Sequence, residues 1–99
     1  MLYVDKDLQD DTLTVSLEGR LDTTTSPDFE NELKESLEGV KTLVFDFEKL
    51  EYISSAGLRV MLSAQKIMNK QGEMTIKNAS DDVLEVFEIT GFIDILNIE

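Results

Sequence analysis

A chain of 99 residues with neither cysteine nor histidine excludes disulfides, thiolate metal sites and any serine–histidine nucleophile. Its net charge of −12, from 21 acidic against 9 basic residues, disfavours nucleic acid as a direct ligand, because phosphate contacts dominate that affinity. The length suits one domain, 1–99, and no segment reads as a signal peptide or is apolar for long enough to insert in a membrane, so a cytoplasmic protein is expected.

In chain order, "LYVDK" (Leu2–Lys6) is a short strand candidate and "DLQDD" suits a hairpin connection. "TLTVSLEG" alternates, with Leu13, Val15 and Leu17 on one face, so it predicts a half-buried strand. Ser26-Pro27 marks a helix start, since proline at the first helical position gives up no needed hydrogen bond. Phe29, Leu33 and Leu37 follow at helical spacing, Glu30 and Lys34 can pair on the opposite side, and Gly39 is the stop. "TLVFDF" (Thr42–Phe47) is apolar with little alternation and reads as a central strand covered on both faces. A helix follows from about Ala56 to Gln71, apolar except along a stripe of Arg59, Ser63, Lys66 and Lys70. "EMTIKN" is another strand. Ser80 caps a helix carrying Val83, Val86 and Phe87 and ending at Gly91, and "FIDILNI" closes as a strand. The predicted order β-β-α-β-α-β-α-β implies an α/β domain. Its mixed sheet has mostly parallel central strands packed by helices.

Few residues offer chemistry. Ser63-Ala-Gln-Lys66 matches S-x-x-K, but it sits inside a predicted helix without its companion motifs. No phosphate-binding glycine loop is present. Asp46, Glu48 and Glu51 lie near a strand end, yet scattered acids are expected at this net charge, and no metal or cofactor is expected. From Tyr52 to Gly72 there is no acid, so that segment carries +3 against −15 elsewhere. Inside it, Ser54-Ser55-Ala56-Gly57 interrupts an apolar run. One serine ahead of a helix is accounted for as a cap, its oxygen accepting an orphan backbone N–H. A second serine beside Ala56 and Gly57 is not. Small residues there let a partner approach closely, and a helix N-terminus favours added negative charge.

"LVFDFEKLEYISSAGL" (Leu43–Leu58) resembles the signature of STAS domains, in particular the bacterial anti-sigma factor antagonists: an apolar strand with an aspartate, a short link, then aspartate-serine-small-glycine-leucine opening a helix. "LEGRLDTTTSPDF" (Leu17–Phe29) is similar to the family's loop after its second strand, and "GFIDILNI" to its C-terminal end, so the likeness spans essentially the whole chain. One departure stands at Ser54, where the family often has aspartate. The resemblance implies a STAS-like single domain with no enzymatic activity of its own. It implies that Ser55 is the regulatory phosphoserine, with Ser54 the second candidate acceptor. Asp22, Thr23, Ser54, Ser55, Ala56, Gly57 and Arg59 would meet the partner. The implied partners are an anti-sigma factor serine kinase, released when it phosphorylates the chain, and a metal-dependent serine phosphatase that reverses the mark. Two other roles keep the same fold: a STAS accessory subunit of a transporter or sensor assembly, and a small-ligand sensor, which requires an apolar cavity.

Overall fold

The computed structural model describes residues 1–99. The chain runs through β1 (Leu2–Gln9), β2 (Thr12–Leu21), α1 (Ser26–Ser36), β3 (Thr42–Ile53), α2 (Ser55–Asn69), β4 (Glu73–Lys77) and α3 (Asp81–Thr90), then a 3-10 turn over Phe92–Asp94. The sheet order is β1-β2-β3-β4. β1 is antiparallel to β2, while β2, β3 and β4 run parallel. This is the mixed α/β sheet with a parallel centre that the element order implies.

Both parallel crossovers step in the same direction across the sheet. Right-handed connections therefore place α1 and α2 on one face. Burial agrees with this. Leu13, Val15, Leu17, Leu43, Phe45, Phe47, Met74 and Ile76 are buried beneath the helices. The opposite face presents half-buried Thr14, Val44 and Thr75 in one cross-strand row and Ser16, Asp46 and Lys77 in the next. β3 is therefore not covered on both faces, as its apolar run suggested. It alternates between a packed face and an open one.

β3 is also longer than "TLVFDF". Between the pairs Ser16–Asp46 and Glu18–Lys49, β2 advances two residues and β3 advances three; the same excess recurs between Gly19–Leu50 and Arg20–Tyr52. Two bulges thus insert two residues into β3, and burial falls into period three, with Phe47, Leu50 and Ile53 inside and pairs of exposed residues between them. Asp46 braces the first bulge, accepting hydrogen bonds from the Glu48 amide at 3.0 Å and from Asn78 Nδ2 at 3.1 Å.

The helix faces follow the sequence pattern. Phe29, Leu33 and Leu37 are buried, and Lys34 Nζ meets Glu30 Oε2 at 3.0 Å. α3 is capped by Ser80, which accepts from the Val83 amide at 3.3 Å, and stops at Gly91 with φ +82°. The closing strand is reduced to a single parallel bridge between Ile98 and Ile76. The left-handed Gly91 leads straight into the 3-10 turn, whose i→i+3 bonds, from Asp94 N to Gly91 O and Ile95 N to Phe92 O, take the groups a strand would have used for pairing.

Phe47 sits at the centre of the core, its ring 5.9 Å from Phe45 and 6.4 Å from Phe87, which ties β3 to α3. Phe47→Ala should cost about 3–5 kcal/mol through lost burial and an unfilled cavity. Against a total stability of about 5–15 kcal/mol for a domain of this kind, urea unfolding should show the midpoint falling by a large fraction.

Candidate functional site

The candidate residues converge at the carboxyl ends of the parallel strands, where loops leave the sheet and open α/β folds gather their sites. β2 and β3 end side by side, with Leu21 paired to Ile53. The Ser54 amide then donates to the Leu21 carbonyl at 2.9 Å. This bond sets the β2–α1 loop next to the start of α2.

The two serines divide the roles that the sequence left open. Ser54 is the N-cap of α2, with extended backbone, and its hydroxyl oxygen accepts the Gly57 amide at 3.3 Å. Serine and aspartate cap about equally well, which gives the departure at this position a physical reason: the capping function is kept. Ser55 is the first residue of the 15-residue helix, is exposed, and makes no side-chain hydrogen bond. Its hydroxyl is free at the helix end that favours anions. Ala56 beside it is half-buried. Arg59, one turn further on the same side, is exposed and lies outside the three ion pairs of the chain.

Gly57 has a different role from the expected one. It is buried, and a Cβ built there would lie 2.8 Å from Ile53 Cγ1, 2.9 Å from Leu21 Cγ and 2.9 Å from the Leu21 carbonyl oxygen. Its small size lets α2 close onto the ends of β2 and β3; it does not open a path for a partner.

The β2–α1 loop is held by Asp22. Its Oδ1 accepts the amides of Thr24 at 3.0 Å and Thr25 at 3.1 Å. The Asp22 amide donates to Thr25 Oγ1 at 2.9 Å, and Thr25 Oγ1 donates to the Arg20 carbonyl at 3.0 Å. These bonds favour the carboxylate. The Thr25 backbone N–H contributes most; desolvation opposes it, and the Thr24 amide adds to it, so the Asp22 carboxyl lies below its ordinary pKa. Thr23 and Thr24 are left exposed at the loop's tip.

Two residues that the motifs did not single out lie at the same edge. Arg20 pairs with Tyr52 across β2 and β3, and its guanidinium carbon stands 4.3 Å from the centre of the tyrosine ring. Its Nε is 3.8 Å from Asp22 Oδ2. The remaining sequence candidates lie elsewhere. Ser63 is half-buried within α2, and Asp46, Glu48 and Glu51 do not converge on a metal position. A depression of about 420 Å³ on the open sheet face is bordered by Tyr3, Asp5, Glu18, Asp46, Glu48 and Lys49, and it is too charged to be the apolar cavity of a small-ligand sensor.

The fold and this strand-end surface define a small α/β domain that presents an exposed serine at a helix start beside a structured loop. The STAS domain family model matches residues 3–99, and the chain belongs to that family. It is 39% identical over 88 residues to BtrV of Bordetella bronchiseptica, covering 87% of this chain and 76% of that one, and 29% identical over 99 residues to the anti-sigma-B factor antagonist of Staphylococcus aureus, covering 98% and 92%. Among solved structures, the anti-sigma factor antagonist SpoIIAA in its unphosphorylated form superposes with a TM-score of 0.85 at 20% identity, over 98% of this chain and 88% of that one. The Bacillus cell fate determinant SpoIIAA in the phosphorylated form superposes with a TM-score of 0.76 at 19% identity, over 98% and 91%.

Three outcomes are expected. Ser54→Ala should lower stability by about 1 kcal/mol through the lost cap, whereas Ser55→Ala, which removes no hydrogen bond, should fall within about 0.5 kcal/mol of wild type in chemical denaturation. Gly57→Val should lower the melting temperature by overpacking, at a cost of about 1–3 kcal/mol or more; an unchanged melting curve would contradict the packing described above. A carboxyl held below its ordinary pKa gives stability that is present above its unfolded-state value and is lost as pH falls through its folded-state value. Asp22→Asn should therefore melt below wild type at neutral pH, and the gap should close as pH is lowered below the ordinary aspartate value of 3.8.

Proposed function

We propose that the chain is an anti-sigma factor antagonist that works by partner switching in the cytoplasm. The observation that carries this reading is the separation of duties at the start of α2: Ser54 holds the helix while Ser55 is exposed and free. A residue with no structural task can be modified without disturbing the fold. The name of the Staphylococcus aureus relative, an anti-sigma-B factor antagonist, and the phosphorylated form in which SpoIIAA was solved support the same reading.

In this reading, the unphosphorylated surface of Asp22, Thr23, Ser54, Ser55, Ala56 and Arg59 binds an anti-sigma factor that is also a serine kinase, and a sigma factor is freed. The kinase then phosphorylates Ser55. Phosphate adds about −1.5 to −2 charges at neutral pH, which in a close interface must be paired or solvated. The free N–H groups of α2 and the nearby Arg59 tolerate that charge on the antagonist; a desolvated partner surface does not. The complex separates through differential stabilisation, with no change of fold. A metal-dependent serine phosphatase resets the site. ATP and its metal belong to the kinase, and this chain is the substrate and supplies no catalytic group.

Ser55→Asp places one negative charge at the switch, and an unpaired charge buried in an interface costs several kcal/mol. Titration calorimetry with the purified kinase should show Ser55→Asp binding at least about tenfold more weakly than wild type, with Ser55→Ala close to wild type. Radiolabelling by the same kinase should be lost in Ser55→Ala and kept in Ser54→Ala. Equal affinities for the Ala and Asp variants would remove residue 55 from the switch, and labelling that disappears in Ser54→Ala but persists in Ser55→Ala would move the acceptor to Ser54.

A further inference from the structure

The stacked pair Arg20–Tyr52 is not needed for the core and has no part in the serine chemistry. Tyr52 remains 40% exposed at the end of a strand whose Leu50 and Ile53 are fully packed. Arg20 keeps 53% of its side chain in solvent. The second bulge of β3 is what brings them together, since it sets Tyr52 opposite Arg20 and turns the ring to the outside.

Arg20 is held without being used up. The tyrosine ring supports one face of the guanidinium at 4.3 Å, and Asp22 attracts its Nε end from 3.8 Å, beyond hydrogen-bond length. The other oxygen of Asp22 is engaged by the Thr24 and Thr25 amides. The planar fork of N–H donors is thus oriented and still open, and that fork matches a carboxylate in two parallel hydrogen bonds. A side chain ordered before binding loses little entropy when it docks. Exposed Tyr and Arg are also the residue types that most often dominate binding energy.

We infer that Arg20 and Tyr52 anchor the partner, with Arg20 receiving an aspartate or glutamate carboxylate and Tyr52 seating against the apolar surface beside it. The inference rests on the partner-switching reading and adds to it the chemistry of the partner's contact point. The chain is strongly acidic, so an acidic group on the partner can be accepted only where a cation is held ready. Arg20 supplies that cation on the loop side of the site, and Arg59 supplies one on the helix side.

Titration calorimetry with the purified anti-sigma factor kinase of the same organism tests this on wild type, Arg20→Gln, Tyr52→Ala and, as a control for loss of any positive charge, Lys77→Gln on the open sheet face. Arg20→Gln and Tyr52→Ala should each weaken binding at least about tenfold, while the control binds like wild type and melting temperatures stay close. Arg20→Lys keeps the charge but not the planar fork, and should not restore full affinity. Wild-type affinity in both Arg20→Gln and Tyr52→Ala overturns the anchor and leaves the switch standing. Equal weakening in Lys77→Gln also overturns it, because net charge alone would then explain the effect. Wild type that fails to bind the kinase overturns the switch, and the anchor with it.

Discussion

The Leu21 carbonyl accepts the Ser54 amide at 2.9 Å, and the rest of the site depends on that bond and on the packing around it. It joins the end of β2 to the link before α2. It also fixes where the helix begins, because Gly57, one turn in, rests on the same Leu21 and on Ile53. A side chain at 57 would force α2 or the Leu21 and Ile53 contacts beneath it to shift, and the cap at Ser54 and the loop at Asp22 are positioned by those same contacts. The buried contact carries the constraint. The exposed residues around it are free to vary in chemistry as long as it holds.

Electrostatics gives the site its contrast with the rest of the molecule. The chain carries −12, yet the first turn of α2 contains no acid and faces Arg59, and the neighbouring loop edge carries Arg20. At physiological ionic strength exposed charges more than about 8 Å apart are largely screened, so the distant acids act on solubility and on long-range approach while the local cations act on contact. The open sheet face belongs to the first group. Its Thr, Ser and acidic side chains are half-buried or exposed, and the helices pack against the other side.

Much of this could be read from residue patterns, and the exceptions share a cause. Helical periodicity placed Phe29, Leu33, Leu37, Val83 and Phe87 correctly, because a helix buries its stripe through contacts three and four residues apart. "SSAG" drew attention to the candidate site because two polar residues at the end of an apolar run are conspicuous. What was not legible depends on pairing between distant segments. "EKLEYI" shows no period of two, since two bulges convert it to a period of three, and bulges are defined only against a partner strand. The same register brings Arg20 to Tyr52 across 32 positions of sequence. The inward turn of Gly57 required knowing that Leu21 lies behind it. Asp22 is an intermediate case: an aspartate followed by threonines is a turn signal in its own right, but the number of bonds it collects is visible only once the loop is closed.

The bond between Leu21 and Ser54 also bears on how a newly made chain becomes recognisable. The two residues are 33 positions apart, and the loop between them must close before the bond can form, at an entropic cost that later contacts offset. Parallel pairings of this kind are slow compared with a local hairpin such as β1–β2. An incompletely folded chain therefore has the serines but not the surface that frames them. A partner that bound the proposed surface would therefore require the finished tertiary structure along with a short motif, and the fold would then act as a check on which copies could be bound.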